Sequence, residues 1–413
     1  MFTNFLRVIL ARKLRPFEFI AGDCSEFDFN SPNLGIYIHV PFCKNLCPFC
    51  PYYKEKFETV LAAAYIKAII KEINLRKPKT TINISGIYVG GGSPALIIDS
   101  FPGIFAEIGK YYRITGDIGI ELHPDNISDS MLDKIKKTGF NMVSVGIQSF
   151  QKHLLENLGR FYKDYSIPLN KVKQFGFKAI DVDLIFGIPG QKEQELRLDF
   201  MTACENGATQ ISAYPFIDFS FARNSKKPLS QLHKKEMLDA LVDISSTLGY
   251  ERTSVWTFTK KGTPQYSSIT RDNFIGFGPS AATLSSSQFS INTFSVKEYC
   301  NRMNDDQIAT ALTLNFTQRT RMLYWLFWNF YNLEVNDTAF HRLFNADLNK
   351  SFGIEFKLAS MLGILKSTED GYRLTDLGTY FFHRVEQHYT HQYIDKAWRI
   401  CTRTPWPKKI ALI

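Results

Sequence analysis

The chain has 413 residues, 45% hydrophobic and 22% charged, with 49 basic against 40 acidic residues and a formal net charge of +9. That length and ordinary globular composition fit one large domain with an appendage and exclude an array of many small ones. Seven cysteines with no secretory leader exclude a disulfide framework and point to a reducing compartment, the cytoplasm, and no apolar run approaches the ~20 residues needed to span a bilayer.

The opening segment, residues 1–34, starts with an amphipathic pattern. Phe2, Phe5, Leu6, Ile9 and Leu10 recur at helical spacing among Arg7, Arg12, Lys13 and Arg15, which suits either an anionic lipid surface or docking on the domain. β-rich stretches then occur at 35–40, 86–89, 118–122, 142–147, 179–186 and 210–215. Helical patterns separate them near 59–76, 97–110, 127–138, 150–158, 166–175 and 192–206. Six strand-then-helix units within residues 35–216 predict an α/β architecture, a partial (β/α)6 TIM-type barrel, because parallel neighbours need crossover connections. In such a barrel chemistry gathers at the C-terminal ends of the strands. Asp125 and Asn126 are expected to cap the helix that follows them.

Directly after the first strand comes "HVPFCKNLCPFCPYY", which puts Cys43, Cys47 and Cys50 in one short loop. Zinc would want a fourth protein ligand, and no later Cys-x-x-Cys or His-x3-His supplies it. A [4Fe–4S] cluster accounts for the spacing, with three thiolates on three irons and the fourth iron left open. Cys24, Cys204, Cys300 and Cys401 are scattered and are read as plain buried thiols. His39 is read as a strand residue and Phe42 as packing.

Cys-x3-Cys-x2-Cys resembles the radical SAM signature. "YIHVPFC", "YVGGGSP", "IELHPDN", "VSVGIQSF", "LGR", "DLIFGIPGQ" and "ISAYPF" resemble, in order, the oxygen-independent coproporphyrinogen III oxidase family over residues 35–216. The resemblance implies that the open iron binds S-adenosylmethionine (SAM). It also implies that Gly90, Gly91 and Gly92 let the backbone approach the methionine end, and that Glu121, Gln148, Arg160 and Asp183 line the cofactor site. Arg160 has the fork for a carboxylate, and Asp183, a charge in an apolar strand, needs a ligand or a partner such as Arg160. Tyr37 and Phe49, beside and within the cysteine loop, complete the implied cofactor-binding set. Flavodoxin or ferredoxin is the implied electron donor.

Residues 217–310 read as a barrel extension with a Gly-x-Gly-x-x-Ala turn at Gly276, Gly278 and Ala281, and residues 311–413 as a mostly helical, winged-helix-like domain across the barrel mouth. Two departures separate the chain from named branches of the family. Pro51 and Tyr52 stand where the oxidases carry a further cysteine, and "TRDNFIGFG" lacks the histidine of the haem chaperones. The expected activity is therefore that of the class C methyltransferases, in which two SAM molecules methylate an sp2 carbon of an apolar or aromatic acceptor such as a quinone or lipid. Oxidation of a coproporphyrinogen and haem carriage are the alternatives. Tyr324, Trp325, Phe327, Trp328, Phe330 and Tyr331 ring one helix and imply either core burial or contact with a large apolar ligand. Trp398 and Trp406 among basic residues suit peripheral contact with the inner membrane face or a solvated tail. A nucleic-acid partner is the weaker reading of the same basic and aromatic residues.

Overall fold

The computed structural model describes every residue except 1, 13–15, 23–26, 28–30, 32, 223–225, 268–271 and 413, and describes 2–6 by backbone alone. Cys24, Lys13 and Arg15, and the side chains of Phe2, Phe5 and Leu6, lie outside the described residues.

Six strands, β1 (Leu34–Val40), β2 (Ile82–Gly91), β3 (Tyr112–Leu122), β4 (Met142–Gln148), β5 (Ala179–Phe186) and β6 (Gln210–Pro215), lie side by side in chain order, all parallel. The helices between them are Thr59–Leu75, Phe101–Gly109, Asp129–Thr138, Lys152–Asn157, Ser166–Gln174 and Glu193–Glu205. The register separates two rows of side chains. Ile38, Val89, Ile120, Val143 and Ile180 align across β1–β5 and are buried, each contributing about 1.5–3 kcal/mol. Alternation sends the neighbouring positions to the opposite face, where Glu121, Ser144 and Asp181 align across β3–β5. One apolar row thus holds the sheet while the other face carries polar groups.

The sheet does not stop at six strands. A seventh, β7 (Asn273–Phe277), runs parallel to β1 on its other side. Antiparallel strands extend both edges, giving fourteen strands among the described residues. Beyond β6 lie Thr257–Lys260 and Tyr250–Arg252; beyond β7 the series ends with Thr310–Asn315, Phe17–Ile20 and Lys409–Leu412.

The C-terminal portion is mostly helical. Helices Asp337–Phe344, α2 (Gln318–Tyr331), α3 (Leu348–Met361) and α4 (Asp376–Tyr389) surround a three-stranded sheet of Glu334–Asn336, Leu365–Thr368 and Gly371–Leu374. Thr317 caps α2 with a reciprocal Thr320 bond and Thr375 caps α4. A buried polar chain fastens α4 to the sheet domain: Trp256 Nε1 donates to His383 Nδ1 at 2.8 Å, while Lys234 Nζ donates to the Phe216 carbonyl at 2.7 Å and to Gln387 Oε1 at 3.3 Å.

Both chain ends pack on the protein. Helix α1 (Phe2–Ala11) rests on α2 and α4, with Arg319 Nε donating to the Leu10 carbonyl at 2.7 Å and Arg12 paired with Glu355 at 3.2 Å. Trp398 packs edge-on against Phe294, and Trp406 lies under the Arg302 guanidinium. The tail is thus built into the domain rather than being a solvated strap. The expected cap at Asp125 and Asn126 is also corrected. Pro124 starts a separate short turn over 124–126, and extended Ser128 caps Asp129–Thr138 by accepting from the Met131 N–H.

Candidate active site

A cavity of about 1480 Å3 runs along the parallel strands, past their C-terminal ends, into the helical portion. That volume exceeds the ~300–1,000 Å3 usual for one drug-sized ligand. Cys43, Cys47 and Cys50, all half-buried and unpaired, line its sheet-domain end. Their loop is pinned at both flanks. Tyr53 is held by its carbonyl to His39 Nε2 at 2.9 Å, and Ser93 N–H donates to the Phe42 carbonyl at 2.6 Å. His39, a strand residue as expected, is buried, which lowers its pKa to about 4, and its Nδ1 is 2.9 Å from the Tyr37 hydroxyl. Phe42 is fully buried edge-on to Tyr65 and Phe57. Phe49 packs with Leu154, Leu158 and Ile188 under the Arg160 guanidinium.

The glycine run does two jobs. Gly91 and Gly92 line the cavity, but Gly90 does not. A side chain on Gly90 would meet the Glu121 carboxylate at 2.7 Å, and one on Gly91, at φ +106°, would meet the His39 ring at 2.5 Å. Glu121 accepts from the Tyr88 hydroxyl at 2.6 Å and the Gly91 N–H at 3.0 Å, and burial raises its pKa. Gln148 ends β4 at φ +74°, a left-handed backbone for a non-glycine residue, at a register slip between β4 and β5. Arg160 donates to the Gly146 carbonyl at 2.6 Å and to Cys47 Sγ at 3.4 Å. It does not bond Asp183 directly. Asp183 instead accepts from the Ser144 hydroxyl at 3.1 Å, and its pKa is raised by burial first and by the Asp181 charge second. Glu121, Gln148, Arg160, Asp183 and Tyr37 all line the cavity with the cysteines.

Several lining groups lie outside that predicted set. Asp181 accepts from Ser212 at 3.0 Å and Ser144 at 3.2 Å, and burial raises its pKa to about 6. Its position two residues before Asp183 on one strand was the available signal, since both must share a face. Glu386 on α4 is buried in the helical wall, where burial raises its pKa to about 8 and the Thr390 hydroxyl donates to it at 3.5 Å. The aromatic helix α2 forms much of that wall through Tyr324, Trp325, Phe327, Trp328, Phe330 and Tyr331. Contact with a cavity, rather than core burial alone, is what that stretch achieves.

The residues present fit a [4Fe–4S] cluster with SAM. Three thiols of one loop share a wall with Gly91 and Gly92, and a guanidinium stands beside one sulfur. Among the described residues no three His, Cys, Asp or Glu side chains converge on a point suited to a single metal ion. A cubane asks something different, one thiolate on each of three irons. Cys204, Cys300 and Cys401 lie apart from the site, the latter two buried.

Residues 37–200 match the radical SAM superfamily, so this stretch is a radical SAM domain. Within that class the chain is similar to coproporphyrinogen oxidase-like proteins. It is 27% identical over 280 residues to the haem chaperone HemW of Bacillus subtilis, covering 64% of this chain and 74% of that one. It is 24% identical over 381 residues to the oxygen-independent coproporphyrinogen III oxidase of Escherichia coli, covering 84% and 82%. The solved structure of that E. coli oxidase, HemN, superposes with a TM-score of 0.76 at 19% identity over 92% of this chain and 97% of the other, showing the shared fold. These relatives side with the oxidase and haem-carrier alternatives and lend no support to the expected methyl transfer.

Proposed function

We propose that the protein uses its cysteine loop and SAM to abstract hydrogen from a large, mostly apolar ring compound of tetrapyrrole dimensions. The observation that carries this reading is the continuity of one cavity from the three cysteines to the aromatic wall of α2 and α4. The names of the relatives, haem chaperone and coproporphyrinogen III oxidase, favour a tetrapyrrole over other apolar rings. A coproporphyrinogen carries four carboxylates, and four Arg or Lys side chains line the cavity, Arg7, Lys54, Arg160 and Arg321. Of those lining it, Arg160 is bonded to Gly146, and Arg321 to the carbonyls of Ser285 and Asp272 and to the Asn273 side chain.

Bound together, the cluster and SAM would supply a carbon radical strong enough to take hydrogen from an unactivated C–H bond. Cys43, Cys47 and Cys50 would hold the cluster. Gly91 and Gly92 would give the SAM methionine end its close backbone approach. Arg160 presents a charge beside Cys47, and Glu121, Asp183 and Gln148 present acceptors and an amide to the polar parts of SAM. The aromatic wall excludes water from the reacting region and fixes the substrate by area rather than by charge. A cavity larger than one ligand requires is the observation that favours a second reading, methyl transfer with two SAM molecules.

Anaerobically reconstituted protein, reduced with dithionite and given SAM, should form 5′-deoxyadenosine. Hydrogen abstraction from substrate predicts no S-adenosylhomocysteine, and its appearance would establish methyl transfer instead. Stable haem binding with neither product would identify a carrier.

A further inference from the structure

We infer that the outer face of α3 is a docking surface for an anionic lipid bilayer, placed so that an apolar substrate passes from membrane to cavity. Ile354, Leu358, Met361 and Leu362 recur at i, i+4, i+7 and i+8, one helical face, and are 55 to 75% exposed. Leu377 extends the patch. It is 58% exposed and its methyl lies 3.8 Å from where a side chain on Gly363 would begin. Soluble surfaces scatter single apolar residues, whereas five together form a patch that calls for a partner.

Two observations select a bilayer. The patch is a ridge of five side chains, far short of the roughly 20–30 residues per partner in a stable protein interface, whereas peripheral lipid contact needs only a few apolar side chains with basic neighbours. Lys350 and Lys357 are exposed on the same helix and supply its basic neighbours, while beyond the helix exposed Lys366 is offset by exposed Glu369, Asp370 and Asp376. A third observation ties the ridge to function: Leu358 and Leu362 are both exposed and part of the cavity lining, beside Ala359 and Phe356. A ligand moving inward would stay in apolar contact throughout. No described helix is long and apolar enough to cross a membrane, so the contact is peripheral. The delivery role rests on the reading of the cavity given above, and the surface contact does not.

The test uses the full chain and 100 nm vesicles of phosphatidylcholine alone or mixed 3:1 with phosphatidylglycerol. The wild type should co-sediment with the mixed vesicles, and the triple variant Ile354→Ser, Met361→Ser, Leu377→Ser, which spares the cavity lining, should lose about tenfold in partition. Lys350→Glu with Lys357→Glu should abolish the preference for phosphatidylglycerol. Wild-type protein that stays in the supernatant, or a triple variant that sediments equally well, overturns the proposal. So does a wild-type dimer in solution that the triple variant converts to a monomer, since the ridge would then join copies of the chain. Formation of 5′-deoxyadenosine without vesicles reports on the radical chemistry alone, which keeps the two failures apart.

Discussion

The Arg160 Nε lies 3.4 Å from the Cys47 sulfur, while another nitrogen of the same guanidinium donates to the Gly146 carbonyl at 2.6 Å. One side chain therefore ties the cysteine loop to the end of β4. Arg160→Ala removes a charge-assisted bond of about 1.5–3 kcal/mol, so 5′-deoxyadenosine formation should fall roughly 10- to 100-fold. Arg160→Lys keeps the charge without the fork and should recover only part of the rate. Bound iron should stay near wild type in both, which separates lost positioning from a lost cluster.

Cys50→Ala should behave differently from the arginine variants. With two thiols left in the loop, the protein after reconstitution should hold little iron, lose the broad visible absorbance of a cubane and form no 5′-deoxyadenosine. Cys204→Ala, away from the cavity, should match wild type in all three measurements.

Gly91 admits no side chain, because its backbone is left-handed and the His39 ring lies where a methyl would go. Gly91→Ala should cost at least about 2 kcal/mol in denaturant unfolding and lower the rate of SAM cleavage, since the Glu121 contact to the Gly91 N–H moves with it.

Glu386 carries a pH signature. Its folded pKa of about 8 lies above the unfolded carboxyl value, so between about 4.5 and 8 the folded protein keeps a proton that the unfolded chain releases. Its contribution to stability is full below that window and declines as pH rises through it. Wild type should therefore lose on the order of 3 kcal/mol more than Glu386→Gln between pH 5 and pH 8. Denaturant midpoints of both proteins across that range measure the difference.

The parallel core was readable because each β-rich stretch alternates with a helical period, and a period survives without knowing its partner. The cysteine loop was readable because all its ligands are local. Asp181 was harder to read, since its role depends on Ser144 and Ser212, which reach it only when three strands align. The link from Trp256 to His383 spans 127 residues and has no sequence period at all. The added edge strands escaped for the same reason, being short segments whose pairing is set by distant chain.

The strand Phe17–Ile20 pairs along its whole length with Lys409–Leu412 and touches Thr310–Asn315 at one position, Ile20 opposite Thr313. During synthesis its main partner emerges only after residues 21–408 have been made. The radical SAM core can form from contiguous chain long before, yet this edge stays open until residues 409–412 have emerged. A stall or truncation just short of residue 409 would thus leave a finished cluster loop on a protein with an unprotected strand, the state most prone to wrong pairing.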